Sequence, residues 1–570
     1  MRLNIVKSKN AQSLYVIRST YENGRHSSKI VEKLGTYDEL LKKLNGNDPI
    51  AWAKAYIAEL NTIEKAENRE VIVKYSPSKI ISKDQQHSFN GGYLFLQQIY
   101  HELNLHKVCA EISKKYKFTF DLDAVLSRLL YGRVLFPSSK LATYQHSSKF
   151  IEQHNFDLQH VYRALEVISK EIDFIQSSLY SNSLKLSKRN TGILYYDCTN
   201  YFFEIEQEDG LKQYGASKEH RPNPIIQMGL FMDGDGIPLA FNLNSGNTNE
   251  QITLKPLEEK ILSDFKLSKF VVCTDAGLAS ESNRKFNNKG ERAFITTQSI
   301  KKLKKHLKEW SLDSKGWHLS GHDKTYDISS IDEDAHKDYC FYKERWIKEN
   351  GLEQKLIVTY SIKYKNYQRQ IRNSQIERAQ KTIDTNPTKI SKSNQNDYKR
   401  FIKKTSCTPD GEIADTSVYT LDTETILNEE IYDGFYAVCT NLEDSALDII
   451  KINQRRWEIE ECFRIMKSEF KARPVYLSRE DRIKAHFTSC FISLVLYRLL
   501  EKKLDNRFTC QEIINGLKEM NFYEIEGEGY IPTYTRTDFT DVLHETYGFR
   551  TDYQIIKKTQ MKKILNMTKK

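Results

Sequence analysis

No Cys-x-x-Cys pair occurs anywhere in the chain. The nine cysteines, Cys109, Cys198, Cys273, Cys340, Cys407, Cys439, Cys462, Cys490 and Cys510, are scattered singly. That spacing argues against a zinc finger, and an odd, dispersed set argues against a disulfide framework and for a reducing compartment. No apolar run approaches the roughly 18 residues of a membrane span. The opening MRLNIVKSKN has no apolar signal-peptide stretch, so the expectation is a soluble, cytoplasmic protein with no membrane partner.

What is present is enough for several cores. At 570 residues, with 39% hydrophobic and 11% aromatic residues, three or more domains are expected. The charge is +10, from 86 basic against 76 acidic residues, a moderate excess that suits a nucleic-acid partner.

Texture divides the chain into six parts. Residues 1–75 form a small β/α unit, with strands at Ser13–Ser19 and Ser28–Leu34 around an Asn23-Gly24 turn and a helix over Ala51–Glu67. Residues 76–190 open on a polar linker and then read as successive helices. These carry Arg128, Arg133, Lys140 and Lys149, which makes the part a candidate DNA-binding domain without clear helix-turn-helix spacing. Residues 191–298 alternate strands and helices. Residues 299–434 start very basic (Lys301, Lys302, Lys304, Lys305, Lys308) and continue as a β-rich insertion. Residues 435–500 return to strand and helix, and 501–570 form a C-terminal region with a basic, frayed end.

Within 191–298, GILYYDCTNYFFEIE reads as a strand with Asp197 near its middle. The loop QYGASKEHRPNP follows, and its Lys218 and Arg221 are candidate DNA contacts. A hairpin turned by Asp233-Gly234-Asp235-Gly236 comes next; this run lacks the later ligands of a calcium loop and reads as a turn. A helix over Asn249–Phe265 leads to the strand KFVVCT, which ends at Asp275. The order predicts a mixed α/β sheet with Asp275 at a strand's C-terminal end, where sites form in open α/β sheets. If the strands bearing Asp197 and Asp275 pair, about 4.8 Å apart, their carboxylates can share a metal site.

The run Ala446–Lys471 has no Pro or Gly and reads as one long amphipathic helix. Ile452, Ile459, Phe463, Met466 and Phe470 form an apolar stripe. Asn453, Arg456, Glu460, Arg464 and Lys467 form a polar row beside it, with a cation one turn either side of Glu460. Phosphoryl transfer on DNA needs two divalent ions, on the order of 3.5–4 Å apart, held by a few carboxylates. Asp197, Asp275 and Glu460 fit that need as catalytic and metal-binding residues, with Mg²⁺ the expected ion and Mn²⁺ a substitute. Arg456, Arg464 and Lys467 are placed to hold phosphates. Singly, each carboxylate has an ordinary explanation: a strand side chain bonded to Thr199, a helix cap, a surface ion pair. Their combination on this topology favours chemistry.

The sequence resembles bacterial insertion-sequence transposases of the DDE class. Their signature on the helix of the catalytic Glu is Tyr, two residues, Arg, three residues, Glu, six residues, Lys. Arg456, Glu460 and Lys467 match at those spacings, while the Tyr position is Asn453, a departure at a residue that helps position substrate. YYDCTNYFFE, SKEHRPN, GNTNEQITL and TDAGLASESN resemble the same branch in order and mark Asp197 and Asp275 as the first two carboxylates. The 185 positions from Asp275 to Glu460 are what an inserted β-rich domain produces. The likeness runs from the N-terminal β unit to about residue 500. It implies a ribonuclease H-like core in two parts and an endonuclease that cuts terminal inverted repeats and joins the freed 3′-hydroxyl to target DNA. It also implies a homodimer or larger synaptic complex associated with the nucleoid. Trp310 or Trp317 is a candidate for stacking on a flipped base, although a core role is the simpler expectation for either. The alternatives are a non-transposing nuclease on the same fold and a catalytically inactive DNA-binding descendant; a phosphatase of small substrates fits the size and basicity poorly.

Overall fold

The computed structural model describes residues 1–8, 11–22, 25–67, 76–385, 397–407 and 413–570. The expected Asn23-Gly24 turn and most of the polar loop 384–396 lie outside the described residues. The chain divides into two compact units, Met1–Gln85 and Gln86–Lys570.

In the first unit β1 (Arg2–Lys7), β2 (Gln12–Glu22) and β3 (Arg25–Thr36) form an antiparallel sheet. Helices α1 (Tyr37–Lys43) and α2 (Pro49–Glu67) follow. Thr36 and Glu39 cap α1 reciprocally, so the strand turns directly into the helix. Leu14, Leu40 and Ala53 make its small core.

The second unit begins with the short strand β4 (Ser88–Asn90) and six helices. These are α3 (Tyr93–Glu102), α4 (Leu105–Lys115), α5 (Leu122–Leu135), α6 (Lys140–Ser147), α7 (Leu158–Lys170) and α8 (Ile172–Ser183). Pro137 separates α5 from α6, and Ser139 caps α6 by accepting from the Ala142 N–H at 3.1 Å.

The central sheet starts with β5 (Ile193–Phe202), β6 (Ile225–Asp233) and β7 (Pro238–Ser245), paired antiparallel. Helix α9 (Leu254–Asp264) leads to β8 (Val271–Thr274), and α10 (Glu281–Phe286) leads to β9 (Ala293–Thr297). β8 pairs parallel with both β5 and β9. The DGDG run is the expected hairpin turn: Asp233 is buried, pairs with Arg189 at 2.6 Å and accepts from the Ile237 N–H, while Gly236 has φ +81°.

Residues 299–434, read from sequence as an insertion, supply α11 (Lys305–Leu312) and the strands β10 (Trp317–Leu319), β11 (His322–Tyr326), β12 (Cys340–Glu349) and β13 (Leu352–Ser361). They also supply α12 (Ile362–Thr385), a separate ribbon of β14 (Ile402–Cys407) and β15 (Ile413–Leu421), and α13 (Thr423–Glu430). β16 (Phe435–Thr440) then pairs with both β13 and β9. One ten-stranded sheet results, in the order β11-β10-β12-β13-β16-β9-β8-β5-β6-β7. Backbone pairing therefore runs from the expected core into the expected insertion without a gap. Trp317 is fully buried there, in the core role expected for it.

The long helix expected over Ala446–Lys471 is instead two helices and a π segment. α14 (Ala446–Gln454) ends at Arg455, α15 (Trp457–Arg464) restarts, and Ile465–Glu469 continue with π geometry. The apolar stripe still faces inward: Ile459, Phe463, Met466 and Phe470 are buried. A helix can break at Arg455–Arg456 because the tertiary partners on either side differ, and no Gly or Pro signals it.

α16 (Glu480–Lys503) is the spine of the unit and packs against α3, α5, α7 and β7. Among the described residues it is the one helix long and apolar enough to cross a membrane, and 94% of its apolar window is buried inside the protein. The C-terminal region is ordered, as α17 (Cys510–Glu519), β17 (Asn521–Ile525), β18 (Gly529–Pro532), α18 (Asp538–Tyr547), β19 (Ile556–Lys557) and α19 (Lys558–Met567). Only its basic end is expected to fray, and that end is the helix α19. β17 pairs with β4, and Phe549 stacks on Phe95 of α3 at 4.9 Å, so both ends of the unit share one core.

Candidate active site

β5 is buried along almost its whole length, so its alternation decides which side chain meets which layer. Leu194, Tyr196 and Cys198 join the cluster that contains Leu254, Leu257 and Ile261 of α9. Tyr195 and Tyr201 point the other way: the Tyr195 hydroxyl donates to the Ile452 carbonyl of α14 at 2.8 Å, and Tyr201 meets Met466. Asp197 has the same parity, so it faces the layer of α14 and α15.

Tyr195 on β5 lies opposite Cys273 on the parallel strand β8. Continuing that register brings Asp275, just past the end of β8, level with Asp197. The sheet thus realises the strand pairing on which the expected carboxylate pair depends. Asp197 accepts from the Cys198 N–H at 2.7 Å, and Asp275 accepts from the Leu278 N–H at 3.0 Å, which fixes the turn after β8. The helix-cap explanation for Asp275 is thus partly realised beside the functional one.

Burial pushes the Asp197 carboxyl up to about 6; Lys218 opposes the shift and the Asp275 charge adds to it. Lys218 is drawn in between Glu250, at 3.2 Å, and the Cys198 carbonyl. Burial works against its charge, and Asp197 and Glu250 outweigh burial, so its pKa is raised.

Glu460 stands on α15, mostly exposed, 3.5 Å from Arg456. A cleft of about 330 Å³ brings together Asp197, Lys218, Glu460, Arg464 and Lys467. Arg456 lines a neighbouring cavity with Glu460 and Asn453. Burial disfavours its charge, while Tyr436, Glu460, Asp197 and Asp275 favour it; Arg456 is the cation that all three carboxylates face. Lys467 is pushed down to about 8 by burial and by Lys218. Arg464 pairs with Glu461 at 2.9 Å, and Arg221 lies over the Phe202 ring at 4.3 Å outside the cleft. Among the described residues, no three His, Cys, Asp or Glu side chains converge closely enough to enclose one ion.

α15 is held by a buried charge network. Arg498 of α16 reaches Glu501 at 2.6 Å, Glu458 at 3.6 Å and the Gly236 carbonyl at 2.9 Å, while Arg455 pairs with Glu458 at 2.8 Å. A Cβ at Gly236 would meet the tips of Glu458 and Arg498, and the residue's φ of +81° favours glycine at this turn beside the network.

Some placements differ from expectation. Arg128, Arg133 and Lys140 are buried rather than arrayed on a helical surface, and Arg128 pairs with Glu152; only Lys149 is exposed. The helical run offered no way to tell inward from outward cations, because α5 is apolar nearly all round. Sequence reasoning also missed Glu219 and Arg473, which pair with each other in the cleft, and Tyr436, which meets Asn453. Glu219 adjoins Lys218 and was a signal in plain view. Arg473 and Tyr436 are distant in sequence from the motif and carried none.

Residues 201–496 match the family model described as "Transposase DDE domain". The match contains Asp275 and Glu460, and Asp197 lies just before its start. A comparison with curated proteins gives no match. Among solved structures, the chain is similar to the cryo-EM structure of the piggyBac transposase synaptic complex with hairpin DNA. That similarity has a TM-score of 0.37 and 8% identity over 85% of this chain and 88% of that one. The family match spans just over half of the 570 residues, and the chain belongs to the DDE transposase family.

Proposed function

We propose that this transposase cuts DNA at the ends of its element and joins the freed 3′-hydroxyl to target DNA, by the cut-and-paste route. The observation that carries the reading is the placement of Asp197 and Asp275, level on adjacent parallel strands and facing the layer whose helix carries Glu460 on the cleft rim. Antiparallel β5-β6-β7 with β8 and β9 added parallel is the strand arrangement expected of a ribonuclease H-like core. Residues 299–434 are then its insertion and 76–190 a candidate part of end recognition.

DDE transposases use divalent metal ions. The residues fit one: two carboxylates that burden each other electrostatically, one of them buried enough to hold a proton up to about pH 6, are relieved by a bound cation. Asp197, Asp275 and Glu460 would hold it, with Mg²⁺ the proposed ion and Mn²⁺ a substitute. When bound, it supplies Lewis-acid activation of water or the 3′-hydroxyl and neutralises charge at the phosphate.

The chain's own residues do the rest. Arg456 keeps Glu460 on the rim and offsets the carboxylate charge before DNA arrives. Lys218 and Lys467 face the cleft and neutralise the phosphate that enters it. The Arg498 network fixes α15 against the sheet, so Glu460 reaches the cleft from a rigid support. The partner is double-stranded DNA carrying the terminal inverted repeats and then the target, handled by a homodimer or larger complex in the cytoplasm.

A second reading, a binding protein without catalysis, draws on Glu460 being paired with Arg456 and on Asn453 at the motif's Tyr position. Incubation of a target plasmid with uncut and, separately, pre-cut element ends separates the readings. Joined product supports transposition. Cleavage of uncut ends without joining supports a nuclease, and binding alone supports the second reading.

A further inference from the structure

A second cavity, of about 450 Å³, lies beside the cleft between the start of α6 and the segment 471–477. Arg133, Lys140, Lys471 and Arg473 line it, and no Asp or Glu is among the described residues that do. Arg473 lines the cleft as well, so the two spaces are neighbours along one wall.

Lys140 is the unusual member. It is only 5% exposed, and no described residue gives it a hydrogen bond or an ion pair. Burial, with Arg133 beside it, pushes its amine down to about 7; the nearby Cys490 opposes the shift. Arg133, 3% exposed, spends two of its nitrogens on the carbonyls of Phe470 and Ser138, and its buried Nε has no partner. His486, at the back, is held neutral by burial and by Lys140 and Arg133. Two cations buried without a carboxylate are costly to the fold, and a Met at 140 would fill the same space without that cost. The arrangement makes sense if an anion comes from outside. Lys140 is also the first residue of α6, whose first-turn backbone N–H groups, apart from the Ala142 N–H taken by Ser139, favour negative charge at the same place.

We propose that this cavity is a phosphate subsite, in which Arg133 and Lys140, beside the Glu219-paired Arg473, hold a backbone phosphate of the same DNA strand whose reacting phosphate lies in the Asp197 cleft. The inference rests on the DNA-transfer reading above. Because Arg473 borders both spaces, successive phosphates of one strand can occupy them, and the subsite sets the strand's register on the catalytic residues.

The test uses the full chain. Duplex binding is measured against salt for wild type, Lys140→Met and Lys140→Arg, with thermal unfolding of each. Lys140→Met is expected to weaken binding about tenfold and to flatten the salt dependence by about one ion, and Lys140→Arg to restore both. Its unfolding midpoint should stay equal or rise, which a merely structural lysine would not allow. In parallel, Lys140 is labelled with limiting acetic anhydride near neutral pH and read by mass spectrometry. Duplex should protect it at micromolar concentration, where inorganic phosphate alone does not. Unchanged affinity and slope in Lys140→Met, with wild type still binding, overturns the subsite and leaves the transposase reading intact. Protection by inorganic phosphate but not by duplex assigns the cavity to a free anion and overturns it too. A wild type that binds no DNA at all defeats the parent reading and this one with it.

Discussion

Asn453 donates its side-chain amide to the Tyr436 hydroxyl at 3.0 Å, and that hydroxyl also meets Thr297 Oγ1 at 2.7 Å. Asn453 occupies the position where the resembled family has a Tyr. The structure places a tyrosine there from another element: Tyr436 comes from β16, and it lines the same cavity as Arg456 and Glu460. Tyr436→Phe removes the hydroxyl while keeping the ring. A lost hydrogen bond of roughly 1 kcal/mol predicts a cleavage rate about five- to tenfold lower with metal binding unchanged. A steady-state rate beside a Mn²⁺ titration checks both.

In the proposed metal site, Asp197 would tie metal affinity to pH. Its folded-state pKa, about 6, is raised above that of an ordinary carboxyl. Its contribution to stability is therefore full below the ordinary value of about 4 and is lost as pH rises through about 6. Without metal, Asp197→Asn should raise the unfolding midpoint at pH 8 and change it little at pH 4. Metal binding should strengthen as pH rises through about 6, because the ion needs the carboxylate. Calorimetric titration at pH 5 and pH 7.5 measures this.

Lys467 sets the alkaline side. With its pKa near 8, it loses charge where ordinary lysines keep it. Cleavage should reach a plateau between about pH 6 and pH 8 and fall on both sides. Lys467→Arg should carry the alkaline limb upward and leave the acid limb in place, as a pH–rate profile will show.

Arg498 holds several buried carboxylates at once. Arg498→Met leaves Glu501 without its cation and Glu458 with Arg455 alone, and should cost about 3–5 kcal/mol in denaturant unfolding, the range for a buried pair broken on one side. Adding Glu458→Gln and Glu501→Gln should recover part of that loss, because the stranded charges are then gone.

Much of this site was legible in the residues. Asp197 and Asp275 could be placed on their strands because strand patterns and turn signals are local; the parallel pairing of those two strands was a condition in the sequence and is seen in the structure. The apolar stripe from Ile459 to Phe470 was legible for the same reason. What escaped depends on partners distant in sequence. The break at Arg455–Arg456 follows from how α14 and α15 dock. The continuation of the sheet through β13 and β16 joins strands that 299–434 gave no reason to pair with β9. The burial of Arg133 and Lys140 could not be told from surface basicity, since charge alone does not report which way a helix faces.

In the proposed reaction Asp197, Asp275 and Glu460 act together with a divalent ion on DNA. The direct measurement is strand cleavage of duplexes carrying the element's own ends, with Mg²⁺ or Mn²⁺, for wild type and Glu460→Gln. The account predicts metal-dependent cleavage by wild type, lowered at least a hundredfold in Glu460→Gln with end binding retained. Cleavage by Glu460→Gln at the wild-type rate, or a wild type that binds the ends and never cuts them with either metal, contradicts it.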